Sequence, residues 1–116
     1  MSEAARTIGW GFLGAGEVAA EFAEALRHVP GARLAAVASR TAERAGALAR
    51  GFGATTQASF EALVNDPGVD VVYVATPAAR HAEHALLAIE AGKAVLVEKP
   101  FATSVADAER IVAAAR

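Results

Sequence analysis

Glu98-Lys99-Pro100 follows directly on the apolar run Ala94-Val95-Leu96-Val97, and far upstream stands the glycine turn Gly14-Ala15-Gly16-Glu17-Val18-Ala19. A charged pair that stops a buried strand costs solvation energy unless a ligand or a partner compensates it. Lys99 therefore marks a place where something can react, while the plainer reading leaves both side chains in water at a strand end. The glycine turn points to a nucleotide. Gly14 permits the tight turn, Gly16 lets a pyrophosphate approach the backbone, and Ala19 in place of a third glycine still allows close helix–strand packing. The free N–H groups of the first helical turn, which begins at Glu17 and Val18, then face the phosphates. A glycine turn kept only for its tightness is the alternative.

The residues just after the second apolar run bear on the choice of dinucleotide. An NAD site offers an acidic residue there to hold the ribose hydroxyls, whereas this chain has Ser39-Arg40-Thr41. A guanidinium with two hydroxyls suits a 2′-phosphate, because arginine supplies a planar fork of donors and a permanent charge. NADP is the cofactor this favours; with Arg40 merely solvated, it is NAD. Ala75-Thr76-Pro77 ends the fourth run at the rim of the expected crevice, where proline biases Thr76 toward extended geometry. His81 and His84 lie three apart with Glu83 between them. That spacing can chelate zinc, but no cysteine or acidic cluster offers a third ligand, so no metal is expected.

These residues need a scaffold, and the apolar pattern supplies one. Ile8 to Leu13 reads as a first strand, and Val18, Ala19, Phe22, Ala23 and Leu26 recur at helical spacing. Arg27 and His28 suit the negative end of that helix, which Pro30-Gly31 closes. Leu34 to Ala38 is a second strand, after which Thr41 can cap a helix to about Arg50, stopped by Gly51 and Gly53. Ala54 to Gln57 is a short third strand, with Ser59 capping a brief helix through Val64 and Asp66-Pro67-Gly68 turning the chain. Val69 to Ala75 is β-branched and apolar on both faces, as a central parallel strand requires. His81 to Ala91 is helical, Ala94 to Val97 is a fifth strand, and Ser104-Val105-Ala106-Asp107 starts a last helix as a capping box. Alternating strands and helices with short loops predict an α/β, doubly wound parallel sheet of order 3-2-1-4-5, with a ligand crevice at the carboxyl ends of strands one and four.

Composition narrows the partners. The chain has 116 residues, a hydrophobic fraction of 54% and a net charge of −2, which fit one folded domain. The basic residues are dispersed, which argues against nucleic acid or a polybasic membrane patch. There is no cysteine, hence no disulfide framework or thiolate chemistry. Apolar runs are far shorter than a membrane span. No charged-then-apolar leader precedes Ile8, so the expected location is cytoplasmic.

Four segments in order resemble the N-terminal domain of the Gfo/Idh/MocA oxidoreductases, the glucose–fructose oxidoreductase and inositol dehydrogenase family. They are Gly11-Phe12-Leu13-Gly14-Ala15-Gly16; Val37-Ala38-Ser39-Arg40; Tyr73-Val74-Ala75-Thr76-Pro77 with His81; and Gly92-Lys93-Ala94-Val95-Leu96-Val97-Glu98-Lys99-Pro100. Within that family the chain is similar to the NADP-using aldose, D-xylose and dihydrodiol dehydrogenases. The resemblance implies hydride transfer between a nicotinamide and a sugar, cyclitol or diol. It implies that Glu98, Lys99 and Pro100 line the nicotinamide end, with Lys99 as the catalytic residue contacting the substrate hydroxyl and ribose. It also implies that Thr76 and His81 border the same crevice and that the Lys99–Pro100 bond is a candidate cis peptide.

Members of the family continue into a sixth strand and a second α/β domain that supplies most substrate contacts, an acid/base histidine and the oligomer interface. The chain is therefore expected to be a cofactor domain, as a fragment or a minimal unit, that meets a polyol substrate only with a second domain. Strand five is then left as a sheet edge through which copies can associate. A dinucleotide-binding module without catalysis is the alternative.

Overall fold

The computed structural model describes residues 7–116. The stretch ahead of Ile8, on which the expectation of no leader rests, lies outside them except for Thr7. Five strands are present: β1 Ile8–Leu13, β2 Ala32–Ala38, β3 Thr55–Thr56, β4 Val71–Val74 and β5 Ala94–Val97. They form one all-parallel sheet in the order β3-β2-β1-β4-β5, as the alternation of elements predicts. The crossovers are α1 Glu17–Leu26, α2 Ala42–Arg50, α3 Phe60–Val64 and α4 His81–Glu90, the last preceded by a 3-10 turn at Ala78–Arg80. Helix α5, Val105–Ala115, comes after β5 and packs on α4.

Helices cover both faces, and the side chains of β4 show why its sequence is apolar throughout. Val72 and Val74 join Leu13, Leu63, Val64 and Ala88 on the side of α3 and α4. Tyr73 points to the other side and joins Phe12, Ala19, Ala23 and Ala45, beneath α1 and α2. All three β4 residues are buried. A strand enclosed on both faces cannot alternate polar with apolar, so a continuous Val/Tyr run is what the position demands.

The pairing of β1 with β2 slips between Trp10 and Gly11. Trp10 pairs with Leu34 while Gly11 pairs with Ala36, so Ala35 is an extra residue in β2. The cores record this bulge: Ala35 and Ala36, though adjacent, both lie on the α3/α4 side.

Some boundaries differ from the sequence reading. The fourth strand is shorter than Val69–Ala75 because the Val69 N–H bonds to Asp66 O in a turn, and the chain leaves the sheet at Thr76-Pro77. The third strand has two residues in place of four, since it lies at an edge and pairs only with β2. Thr41 occupies the N-cap of α2 in extended geometry, but its side chain accepts no helix N–H. Ser59 and Ser104 do cap, receiving the N–H of Ala62 and of Asp107 at 3.0 Å. Arg27 does not turn back to the carbonyls of α1. It reaches across to Gly51 O at 2.8 Å and lies 4.1 Å above the Phe52 ring.

The amino ends of the strands are locked together. Gly9 N–H donates to Asp70 Oδ2 at 2.8 Å, and Asp70 N–H returns a bond to Gly9 O at 2.7 Å. Lys93 Nζ donates to Asp66 O at 2.7 Å and Val69 O at 2.6 Å. At the carboxyl ends the turns after β1, β2 and β4 splay apart, and that is where a crevice opens. No helix among the described residues is long and apolar enough to cross a membrane.

Candidate cofactor cleft

A cleft of about 520 Å³ lies at the carboxyl ends of β1, β2 and β4. Its floor is Gly14-Ala15-Gly16, one wall is Ser39-Arg40-Thr41 with Arg44, and the other is Ala75-Thr76-Pro77. This is the point where the crossovers turn to opposite faces of the sheet, since β1 is flanked by β2 on one side and β4 on the other. In open α/β sheets ligands bind at that point.

The two glycines of the turn have different reasons to be glycine. Gly14 has φ +104°, and a Cβ there would stand 2.7 Å from Ala75 O, so the fold itself excludes a side chain. Gly16 has an ordinary φ of −84°, and a Cβ built on it meets nothing within 4 Å. The space a side chain would fill at Gly16 is open cleft. Gly16 is also the N-cap of α1 and, lacking a side chain, gives the helix no side-chain cap. The first N–H groups of α1 are thus left for a ligand, at the positive end of the helix dipole. A pyrophosphate group fits this arrangement in both shape and charge.

At the far wall, Ser39 Oγ accepts the Thr41 N–H at 3.2 Å, which folds the turn back and carries Arg40 outward. Arg40 and Arg44 both line the cleft and, among the described residues, neither has an acidic partner. The sequence reading passes over Arg44, although a signal is there. A cation in the first turn of a helix sits at the wrong end of the dipole and calls for a compensating anion. Arg80 lines the cleft too, but Glu83 takes its guanidinium at 2.7 and 3.0 Å.

The charged turn after β5 is held from below. Tyr73 hydroxyl donates to Glu98 Oε2 at 2.5 Å, and Lys99 N–H donates to Glu98 Oε1 at 3.0 Å. Burial, then the adjacent carboxylate, pushes the Tyr73 hydroxyl well above the usual phenol range. The Tyr73 hydrogen bond, with that from Lys99 N–H, draws the Glu98 carboxyl below its ordinary value. The carboxylate that ends β5 thus has an internal partner, and of the two charged side chains it is Lys99 that is exposed. The Lys99–Pro100 peptide is cis.

The remaining candidates divide. Glu17 faces a shallower hollow between α1 and α2 that shares Gly16 and Arg44 with the cleft. Val18 is 48% exposed and lines neither. His81 is buried, with Nδ1 2.7 Å from Pro100 O and Nε2 2.8 Å from Thr76 O. His84 Nδ1 lies 2.7 Å from Thr76 Oγ1, its Nε2 is buried without a partner, and burial lowers its affinity for a second proton. Phe60 packs edge to face on His84 and closes the cleft beneath Thr76.

Residues 8–116 match the family model described as an oxidoreductase family with an NAD-binding Rossmann fold. The chain belongs to the Gfo/Idh/MocA oxidoreductases. It is 43% identical over 109 residues to the 1,5-anhydro-D-fructose reductase of Ensifer adhaerens, covering 92% of this chain and 32% of that protein. Two solved structures similar to this chain differ in the dinucleotide they hold. A 3-ketoreductase from Actinomadura kijaniata in complex with NADP superposes with a TM-score of 0.90 at 39% identity, over 96% of this chain and 36% of that one. GenD2 from gentamicin A biosynthesis, in complex with NAD, superposes with a TM-score of 0.91 at 36% identity, over 98% and 33%. The chain spans about a third of the length of the relatives it matches.

Proposed function

We propose that this chain is the NADP(H)-binding part of an oxidoreductase acting on a sugar, cyclitol or diol. The observation that carries the cofactor choice is the pair Arg40 and Arg44, two guanidiniums without acidic partners among the described residues, on the wall after β2. An NAD site would place a carboxylate on that wall. Relatives hold either dinucleotide, so the preference rests on these two residues and on the Ser39 and Thr41 hydroxyls beside them.

In this reading the pyrophosphate lies on Gly14-Ala15-Gly16 and the N-terminus of α1, the 2′-phosphate between Arg40 and Arg44, and the nicotinamide toward Thr76-Pro77 and the Glu98–Pro100 turn. The nicotinamide supplies hydride chemistry when bound. Lys99 is then the group of this chain that meets the substrate hydroxyl, orienting it and easing loss of its proton. Glu98, with both oxygens engaged, fixes the Lys99 backbone and leaves the ammonium to solvent or substrate. Holding a substrate at near-attack distance needs walls beyond those of this cleft, and the longer relatives have chain to supply them. We further infer that β5, the last strand of the sheet, associates with a second copy through its open edge.

Parallel fluorescence titrations with NADPH and NADH test the assignment. Tighter binding of NADPH supports it; equal affinities or no binding of either would overturn it.

A further inference from the structure

Three arginines line the cleft, and they are not equivalent. Arg40 and Arg44 stand on the wall after β2 with no acidic partner among the described residues. Arg80 stands on the other wall, just after Thr76-Pro77, and its guanidinium is already engaged. Its Nε donates to Glu83 Oε1 at 2.7 Å and its Nη2 to Glu83 Oε2 at 3.0 Å. Two parallel bonds to one carboxylate bring both groups toward a common plane. They also offset the charge. An anion placed on Arg80 would meet the Glu83 carboxylate as well, so the phosphates of a ligand are better served by Arg40 and Arg44.

What Arg80 keeps is a flat, delocalised face in a set orientation. A guanidinium face stacks on planar π systems, and pairing along its edge leaves that face open. The backbone beneath it is set too, since Arg80 N–H donates to Pro77 O at 2.8 Å and closes the 3-10 turn. Pro77 and Phe60, whose side chains carry no polar group, line the same cleft. This corner therefore offers planar and apolar surface, where the wall after β2 offers charge and hydroxyls.

A nicotinamide dinucleotide has two flat rings. The purine is carried by the ribose that bears the 2′-phosphate, so it stays within one sugar of Arg40 and Arg44. The nicotinamide lies toward the Glu98–Pro100 turn, and none of those three residues lines this cleft. The ring that comes to Arg80 is thus the purine.

We propose that Arg80, held along its edge by Glu83, is the surface on which the purine ring of the dinucleotide stacks, across the cleft from the arginines that take its 2′-phosphate. This assignment rests on the cleft being a dinucleotide site, and it separates recognition of the base from recognition of the phosphates.

Adenosine 2′,5′-bisphosphate is the probe, since it carries the purine and the 2′-phosphate without the nicotinamide. Titrated into the 116-residue chain labelled with 13C and 15N, it should move the Arg80 δ-methylene proton signals upfield. That is the ring-current signature of a group lying over an aromatic face, and contact with a phosphate does not produce it. Arg80→Ala should weaken the probe by about tenfold, the scale of a partly desolvated cation–π contact. Arg80→Lys keeps the charge and loses the plane, and should bind within about threefold of Arg80→Ala. Arg80 signals that stay in place or move downfield while the probe binds would overturn the proposal and leave the dinucleotide reading standing. Unweakened binding in either variant would do the same. No binding of the probe to the unmutated chain would overturn both.

Discussion

Tyr73 and Glu98, 25 residues apart, share a 2.5 Å hydrogen bond that runs from the middle of the aromatic cluster to the end of β5. Tyr73 pairs with Leu96 in the β4–β5 ladder, so Glu98, two residues further on, projects on the same face and meets the phenol. The rings of Phe12 and Phe22 fix the body of Tyr73, with centroids 5.1 and 4.4 Å away. The hydroxyl is therefore preorganised to hold the carboxylate.

This pair has a defined pH window. Glu98 has a lowered carboxyl, so its contribution to stability is present above its ordinary unfolded value and is lost as the pH falls through the lowered folded one. Tyr73 has a raised hydroxyl, so its contribution is present below the ordinary phenol value near 10 and is lost as the pH rises through the raised one. Tyr73→Phe should remove both limbs. At neutral pH it should cost roughly 1 kcal/mol, the low end for a bond to a charged group because the carboxylate still touches water. Thermal melts across pH check this, and unchanged acid and alkaline limbs in Tyr73→Phe would refute it.

Arg40→Asp should reverse cofactor preference, because it adds repulsion of a 2′-phosphate and restores a ribose acceptor. Arg44→Ala should weaken NADPH by about tenfold, with NADH within about twofold, since a hydrogen bond to a charged group is worth roughly 1.5–3 kcal/mol. The readout is the ratio of dissociation constants for NADPH and NADH.

Gly14 and Gly16 should fail in opposite ways. Gly14→Ala forces a Cβ against Ala75 O at a positive φ and should destabilise the fold by about 1–3 kcal/mol or more. Gly16→Ala should melt within about 0.5 kcal/mol of the unmutated chain, yet bind dinucleotide roughly tenfold or more weakly because the methyl occupies the pyrophosphate's place. Melting and titration of the two variants side by side separate fold from ligand.

Lys99→Ala should leave stability within about 0.5 kcal/mol, as expected for an exposed side chain without a hydrogen bond among the described residues. Dinucleotide binding should be largely kept. In a full-length enzyme carrying this domain, turnover should fall by about a hundredfold or more, the scale of a lost acid–base group. Near-normal turnover would return Lys99 to a solvated strand-end charge.

Association through β5 should appear as a concentration-dependent rise in mass in sedimentation experiments. Val95→Pro, which removes an edge N–H, should suppress it. A strictly monomeric chain at high concentration would refute the edge contact.

The sheet order is legible in the sequence because each strand is followed by a helix of crossover length, and Val71–Val74 needs covering on both faces. The places of Gly14, Gly16 and Arg40 on the cleft are legible for the same reason, since they depend on where a strand stops. The contacts of Thr41 and Arg27 are not. Side-chain caps depend on rotamers that sequence spacing does not specify, and Arg27 finds a better partner across α2. The Tyr73–Glu98 bond is hidden because it depends on the register of two strands whose sequences carry no mark of their alignment. The family resemblance alone implies His81 as a crevice residue; His84 lines the cleft in its place, and His81 is buried with its ring nitrogens beside the backbone oxygens of Pro100 and Thr76.

Lys93 and Asp70 lock the amino rim of the sheet, while the glycines and arginines that line the cleft lie on the opposite rim. The molecule thus keeps endurance and recognition at opposite poles. Substitutions at residues 39–44 are therefore expected to leave the knot at Lys93 intact, and tightening the knot is expected to leave the cleft walls as they are.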